Sequence, residues 1–191
     1  MKRIAVFGNA GGGKSTLARR LSEITRIPLY VIDVMRFPNG GPAIPQDEYS
    51  RLHAELLRRE SWIIDGFDNA RTAWERFACA DTLVYVDLPL FTHFRWVTKR
   101  FVKGLFATPP GWPEGSPLIG STISSYRVLW PCHRHLTPKY RALVTQERER
   151  KKVHHLRSAV EMQAFLRAVS SHCADRGDGK LGVYQPKHHR P

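Results

Sequence analysis

The chain has 191 residues, 42% of them hydrophobic, and carries 30 Lys and Arg against 17 Asp and Glu, a formal net charge of +13. Five Trp and nine Phe supply apolar bulk for one packed core and exclude disorder as the main state. No apolar run approaches the roughly 20 residues that a spanning helix needs, and the first strand-like run breaks into glycine before it could serve as a leader, so a cytoplasmic domain without a membrane partner is expected.

The elements follow in chain order. Lys2 to Phe7 reads as a buried strand bounded by glycine, and residues 16–24 as a helix with Leu17, Leu21 and Ile24 on one face, stopped before Pro28. Leu29 to Asp33 is the second strand. After a Pro/Gly-rich loop, a polar helix runs from about Asp47 to Arg59 with Leu52, Leu56 and Leu57 as its buried face. Ser61 to Asp65 is the third strand, and a helix from Thr72 to Ala78 opens with Thr72 and Glu75 at capping-box spacing. Thr82 to Asp87 is the fourth strand and Leu90 to about Phe106 a helix.

Residues 107–120 hold four Pro and three Gly and read as a loop. Helical pattern resumes near Ser121, with interruptions at Pro131 and Pro138. Lys151 to Leu156 is a fifth strand, and Ser158 with Glu161 opens a last helix ending near Val169. The remainder, 170–191, is basic, poor in core residues and expected to be disordered. Strands alternating with helices predict an α/β fold whose parallel sheet is covered on both faces, with its ligands at the carboxyl ends of the strands.

The charge is uneven. Residues 1–90 carry 12 Lys and Arg against 11 Asp and Glu, whereas 91–160 carry 13 against 3, a local field suited to polyanions. Cys79, Cys132 and Cys173 are odd in number and far apart, which fits neither a disulfide framework nor a zinc pattern, and the nine His lack ligand spacing.

Chemistry concentrates at Gly8-Asn9-Ala10-Gly11-Gly12-Gly13-Lys14-Ser15, a G-x-x-x-x-G-K-S phosphate loop between a buried strand and an amphipathic helix. Glycines let the backbone curl so that N–H groups and the helix amino end face a β-phosphate. Lys14 would bridge the β- and γ-phosphates, Ser15 would ligate Mg²⁺, and Thr16 would pack or reach the α-phosphate. Trp62-Ile63-Ile64-Asp65 has the form of a strand delivering a carboxylate to the metal, and Asp87 has the same form; Asp65 is preferred because Gly66 lets a substrate come close. Either aspartate can instead cap a helix.

Asp65-Gly66-Phe67 followed by Arg71-Thr72 resembles the Asp-Gly-Phe-Pro-Arg-Thr segment of adenylate kinases, and the order of motifs resembles that P-loop kinase superfamily from Met1 to about Val169. The resemblance is closer to the bacterial, adenylate-kinase-related DNA topology modulation proteins, through the second strand ending in Asp33, Trp62 to Gly66, and the Arg95, Lys99, Arg100 helix. It implies a three-layer sandwich with a five-stranded parallel sheet in the order 2-3-1-4-5. Residues 1–169 would form the kinase-like domain, with a lid over about 104–142.

It also implies ATP and Mg²⁺ as cofactors and a nucleoside, nucleotide or other small hydroxyl compound as phosphate acceptor. Asp33 would face the acceptor, Arg71 would bind an acceptor phosphate, and Arg157 would flank the base. Arg95, Arg100 and Arg134 would act as lid arginines, with Arg141 a further candidate. In the rival readings the chain is a stand-alone NTPase, or the basic, aromatic-rich stretch from Arg95 to Arg141 binds nucleic acid by phosphate contacts and stacking and so affects DNA topology.

Overall fold

The computed structural model describes residues 1–38, 41–104 and 118–175, without the side chains of Arg100, Leu118, Ile119 and Ser121. Five parallel strands, β1 (Arg3–Gly8), β2 (Leu29–Val31), β3 (Trp62–Asp65), β4 (Thr82–Val86) and β5 (Lys152–Leu156), stand in the order β2-β3-β1-β4-β5. The helices are α1 (Lys14–Thr25), α2 (Ile32–Arg36), α3 (Gln46–Leu57), α4 (Ala70–Cys79), α5 (Leu90–Gly104), α6 (Leu118–Pro131), α7 (Thr137–Glu147) and α8 (Ala159–Asp175).

Alternation along the strands divides the core into two layers. Ala5, Phe7, Trp62, Ile64, Leu83 and Tyr85 face one side, where Tyr49, Phe77, Tyr140 and Val144 of α3, α4 and α7 cover them. Ile4, Val6, Ile63, Val84 and Val86 face the other, under Leu17 and Leu21 of α1 and Met162, Phe165 and Val169 of α8. Both faces are buried, which is why the strands read as nearly continuous apolar runs.

Several elements differ from their sequence expectation. The second strand stops at Val31, and Ile32 turns the chain into the short α2, so Asp33 sits in a helix rather than at a strand end. Ile32 is fully buried and anchors that turn. The buried face of α3 is Tyr49, His53 and Leu56, not Leu52, Leu56 and Leu57, because the i, i+4, i+7 stripe is the one that meets the sheet. Asn69 rather than Thr72 caps α4: its Oδ1 accepts the Thr72 N–H at 3.0 Å, and asparagine is at least as good a cap as threonine.

Pro131 and Pro138 do not break the chain into loops. A π-helical turn, Cys132–Leu136, joins α6 to α7, with the Thr137 N–H donating to the Cys132 carbonyl. That wider turn accommodates Pro138, which has no N–H to return to the preceding turn. The predicted loop 107–120 lies outside the described residues up to 117, and its last three residues are already helix. Of the predicted lid, 118–142 is helical and built into the body, with Leu129 and Tyr140 buried. The last helix continues past Val169 to Asp175, where Cys173 still packs on the α1 layer. The rest of the tail, 176–191, is outside the described residues.

Candidate functional site

The loop between β1 and α1 is shaped by three glycines with positive φ, Gly8 at 142°, Gly11 at 65° and Gly13 at 73°. Gly13 is the residue before α1. A Cβ on Gly11 would stand 2.4 Å from Cγ2 of Val97, and one on Gly13 2.8 Å from Cζ3 of Trp96, so α5 presses against the outside of the loop. His93 of α5 joins its ring Nδ1 to the Ala10 carbonyl at 2.7 Å. The Asn9 side chain donates to the Leu129 carbonyl of α6 at 3.0 Å and accepts from the Ala10 N–H. Lys14 arches back over the loop, Nζ to the Asn9 carbonyl at 2.8 Å. Half-buried Ser15 and exposed Thr16 follow in the first turn of α1.

Beside this loop, Asp65 ends β3 in register with Val6 and Val31. It is 1% exposed, and its Oδ1 has no hydrogen-bond partner among the described residues. Gly66, at φ 108°, lets the chain turn against Ile32. Asp33 is open to solvent on one side and crowded on the others. Loss of hydration, and then the neighbouring Asp65 carboxylate, push its carboxyl up to about 6, against the pull of Lys14 and Arg76. Asp33 therefore lies within electrostatic reach of both Asp65 and Lys14.

The arginines divide. Arg71 lies on the exposed flank of α4, bonding Ser50 at 3.1 Å and facing Glu75, and none of its contacts reaches the loop. Arg95 lines an exposed groove on α5 with Phe91, Phe94, Thr98 and Lys99. That face is turned away from the one that carries His93 and Val97 to the loop. Arg134 is exposed in the π-helical turn, and the Arg100 side chain is outside the described residues. Arg157 is exposed after β5, its Nη2 at 3.5 Å from Nδ1 of His155.

Some roles were not indicated by the sequence. Asp87, offered there as a second carboxylate of metal-strand form or a helix cap, instead holds Arg141 and His155 beyond the end of β4. His93 braces the loop with no motif to announce it, and Asn9, at a variable position inside the loop motif, braces it through its side chain. Arg76 is buried on α4, in the stripe of Thr72, Ala73 and Phe77, a charge on an apolar face that was the one available signal.

A central β1 flanked by β3 and β4, with a glycine loop curling from β1 into α1, defines the class: a P-loop NTPase α/β fold. Among solved structures the chain is similar to the shikimate kinase from Acinetobacter baumannii in complex with shikimate, at a TM-score of 0.55 and 15% identity over 92% of this chain and 94% of that one. It also matches the shikimate kinase from Aquifex aeolicus vf5, at a TM-score of 0.40 and 20% identity over 70% of this chain and 99% of that one. The likeness to the first is one of fold. No family model matches the chain, and no curated protein does either. None of these matches singles out the DNA topology modulation group.

Proposed function

We propose that the chain is a phosphotransferase that moves the γ-phosphoryl of ATP to the hydroxyl of a small acceptor with Mg²⁺. The observation that carries this reading is the loop from Gly8 to Ser15: glycines in left-handed conformations leading into α1, with the Lys14 ammonium drawn back across it. A loop of this form presents backbone N–H groups and one mobile cation to a polyphosphate.

In this reading Gly8, Asn9, Ala10, Gly11, Gly12, Gly13, Lys14, Ser15 and Thr16 cradle the phosphates. No cluster of three His, Cys, Asp or Glu among the described residues could hold a metal by itself. A hydrated Mg²⁺ held by nucleotide phosphates, Ser15 and the unpartnered Asp65 oxygen suits such a donor set. Bound there, it would neutralise charge on the phosphates. Asp33, with its carboxyl at about 6, orients the acceptor hydroxyl and takes its proton near neutral pH. Arg100 of α5 and Arg134 of the π-helical turn are the cations left to stabilise transferred charge, and Arg157 flanks the base; the contacts of Arg95 and Arg71 lie elsewhere.

The test is a panel of nucleosides, nucleotides and small hydroxy acids assayed for ATP-dependent phosphorylation, with Lys14→Ala as control. An acceptor whose phosphorylation depends on Lys14 supports the reading. Hydrolysis that no acceptor accelerates would replace the kinase with a stand-alone NTPase.

A further inference from the structure

Arg76 is 1% exposed, and among the described residues its guanidinium has one hydrogen bond, from Nη1 to the Gly66 carbonyl at 2.7 Å. Nε and Nη2 have no partner among the described residues. These two nitrogens form the edge on which a guanidinium offers two parallel N–H groups, the fork that fits both oxygens of a carboxylate or two oxygens of a phosphate. A buried cation with that edge unpaired is costly unless something answers it.

The neighbours that could answer it do not. Asp33 and Asp65 lie close enough to feel Arg76, but neither forms an ion pair with it among the described residues. Asp68 is engaged by Arg36 at 3.3 Å. Two further groups on this side can each give one hydrogen. Tyr49 is fully buried, and its hydroxyl has no hydrogen-bond partner among the described residues: Thr72 lies close enough to influence its acidity but outside bonding geometry. His53 stacks on Tyr49 at 5.9 Å, and neither of its ring nitrogens has a partner among the described residues. Burial and Arg76 hold its pKa down to about 4, so the ring is neutral with one N–H to give, and its 3.8 Å approach to Glu75 is not an ion pair.

The Nε–H and Nη2–H groups of Arg76, the Tyr49 hydroxyl and one His53 N–H can all donate, and none has a partner among the described residues. A single water supplies two lone pairs and brings two hydrogens of its own, whereas an oxyanion supplies only acceptors. The same cation lies within electrostatic reach of Asp33, the residue assigned above to the acceptor hydroxyl.

We propose that the Nε–Nη2 edge of Arg76, with the Tyr49 hydroxyl and the His53 ring, forms a buried subsite for an oxyanion, so that the acceptor carries a carboxylate or phosphate group beside the hydroxyl it presents to Asp33. The assignment of this anion to the acceptor rests on the kinase reading; the subsite itself is tested without turnover.

Protein labelled with ¹⁵N-arginine is saturated with ADP and magnesium, which occupy the phosphate loop, and titrated separately with inorganic phosphate, formate and glycerol. The Arg76 Nε–H resonance, identified by its loss in Arg76→Lys, shifts saturably with an oxyanion at millimolar concentration and stays in place with glycerol. A response to phosphate alone or formate alone tells which group the acceptor bears. In Tyr49→Phe, which keeps the ring and its packing, the affinity falls about tenfold. A resonance that stays put, or drifts linearly with salt, overturns the subsite, and so does an unchanged affinity in Tyr49→Phe. Lys14-dependent nucleotide binding, measured on the same samples, reports on the kinase reading separately.

Discussion

Arg141 of α7 grips Asp87 with two hydrogen bonds, Nε to Oδ2 at 2.8 Å and Nη2 to Oδ1 at 3.1 Å, while His155 of β5 shares Oδ2 at 2.8 Å. The Asp87 side chain is 6% exposed and that of Arg141 is 56% exposed. Strand alternation explains the contact, because position 87 continues the Leu83 and Tyr85 series toward the α7 layer. The pair fastens α7, which begins inside the predicted lid, to the strand beside the phosphate loop.

Arg141→Ala leaves a nearly buried carboxylate without its two-pronged partner, facing His155 and the Tyr85 side chain. Unfolding in urea should show a loss of about 1–2 kcal/mol, smaller than for a fully buried pair because water already reaches the arginine. Arg141→Lys restores little of it, since an ammonium cannot make the fork. Arg141 and His155 outweigh burial and hold the Asp87 carboxyl below its ordinary range. The stabilisation is therefore complete above the ordinary carboxylate pKa, and the gap between wild type and variant closes as pH falls through the lower folded value.

Lys14→Ala removes the one side-chain cation inside the loop without touching either core layer. Binding of a fluorescent ATP analogue should weaken, and turnover should fall at least about a hundredfold. The thermal midpoint should hardly move, which separates this loss from misfolding.

Gly11→Ala meets two obstacles, a left-handed backbone at φ 65° and Val97 Cγ2 at 2.4 Å from the new methyl. Together they should cost about 2–4 kcal/mol in thermal or urea unfolding. Pairing it with Val97→Ala opens space but leaves the backbone strain, so rescue should be partial in a double-mutant cycle.

Asp33→Asn should raise the thermal midpoint at pH 7.5 while abolishing transfer to the acceptor. A carboxyl at about 6 when folded, and near 3.8 when unfolded, prefers its neutral form in the native state. Its charge is thus a burden above pH 6 and none below the unfolded value. The gain should shrink as pH falls and vanish near pH 4, as followed by differential scanning calorimetry, and wild-type activity should fall away below about pH 6.

Much of this protein was legible before any contact was known. The apolar runs at 3–8, 62–65 and 82–86 marked buried parallel strands, and the glycine spacing at 8–13 marked the loop between β1 and α1, because both depend on neighbours in sequence. Asn69 as the cap of α4 and the extension of α8 to Asp175 were missed for a weaker reason, the narrow margin between competing local choices.

What only the tertiary structure decided is which charges meet. Arg71, one turn from the glycine corner and matching a known motif, points to Ser50, while Arg76, five residues on, turns inward to Gly66 and feels Asp33 and Asp65. Arg95 faces outward from the same helix whose His93, Trp96 and Val97 brace the loop. Sequence determines strand, helix and glycine turn, since these are set by backbone sterics and by apolar periodicity along the chain. The partner of a buried charge is set by the rotation of a helix about its axis and by the strand register beneath it, and both are settled only when the layers pack.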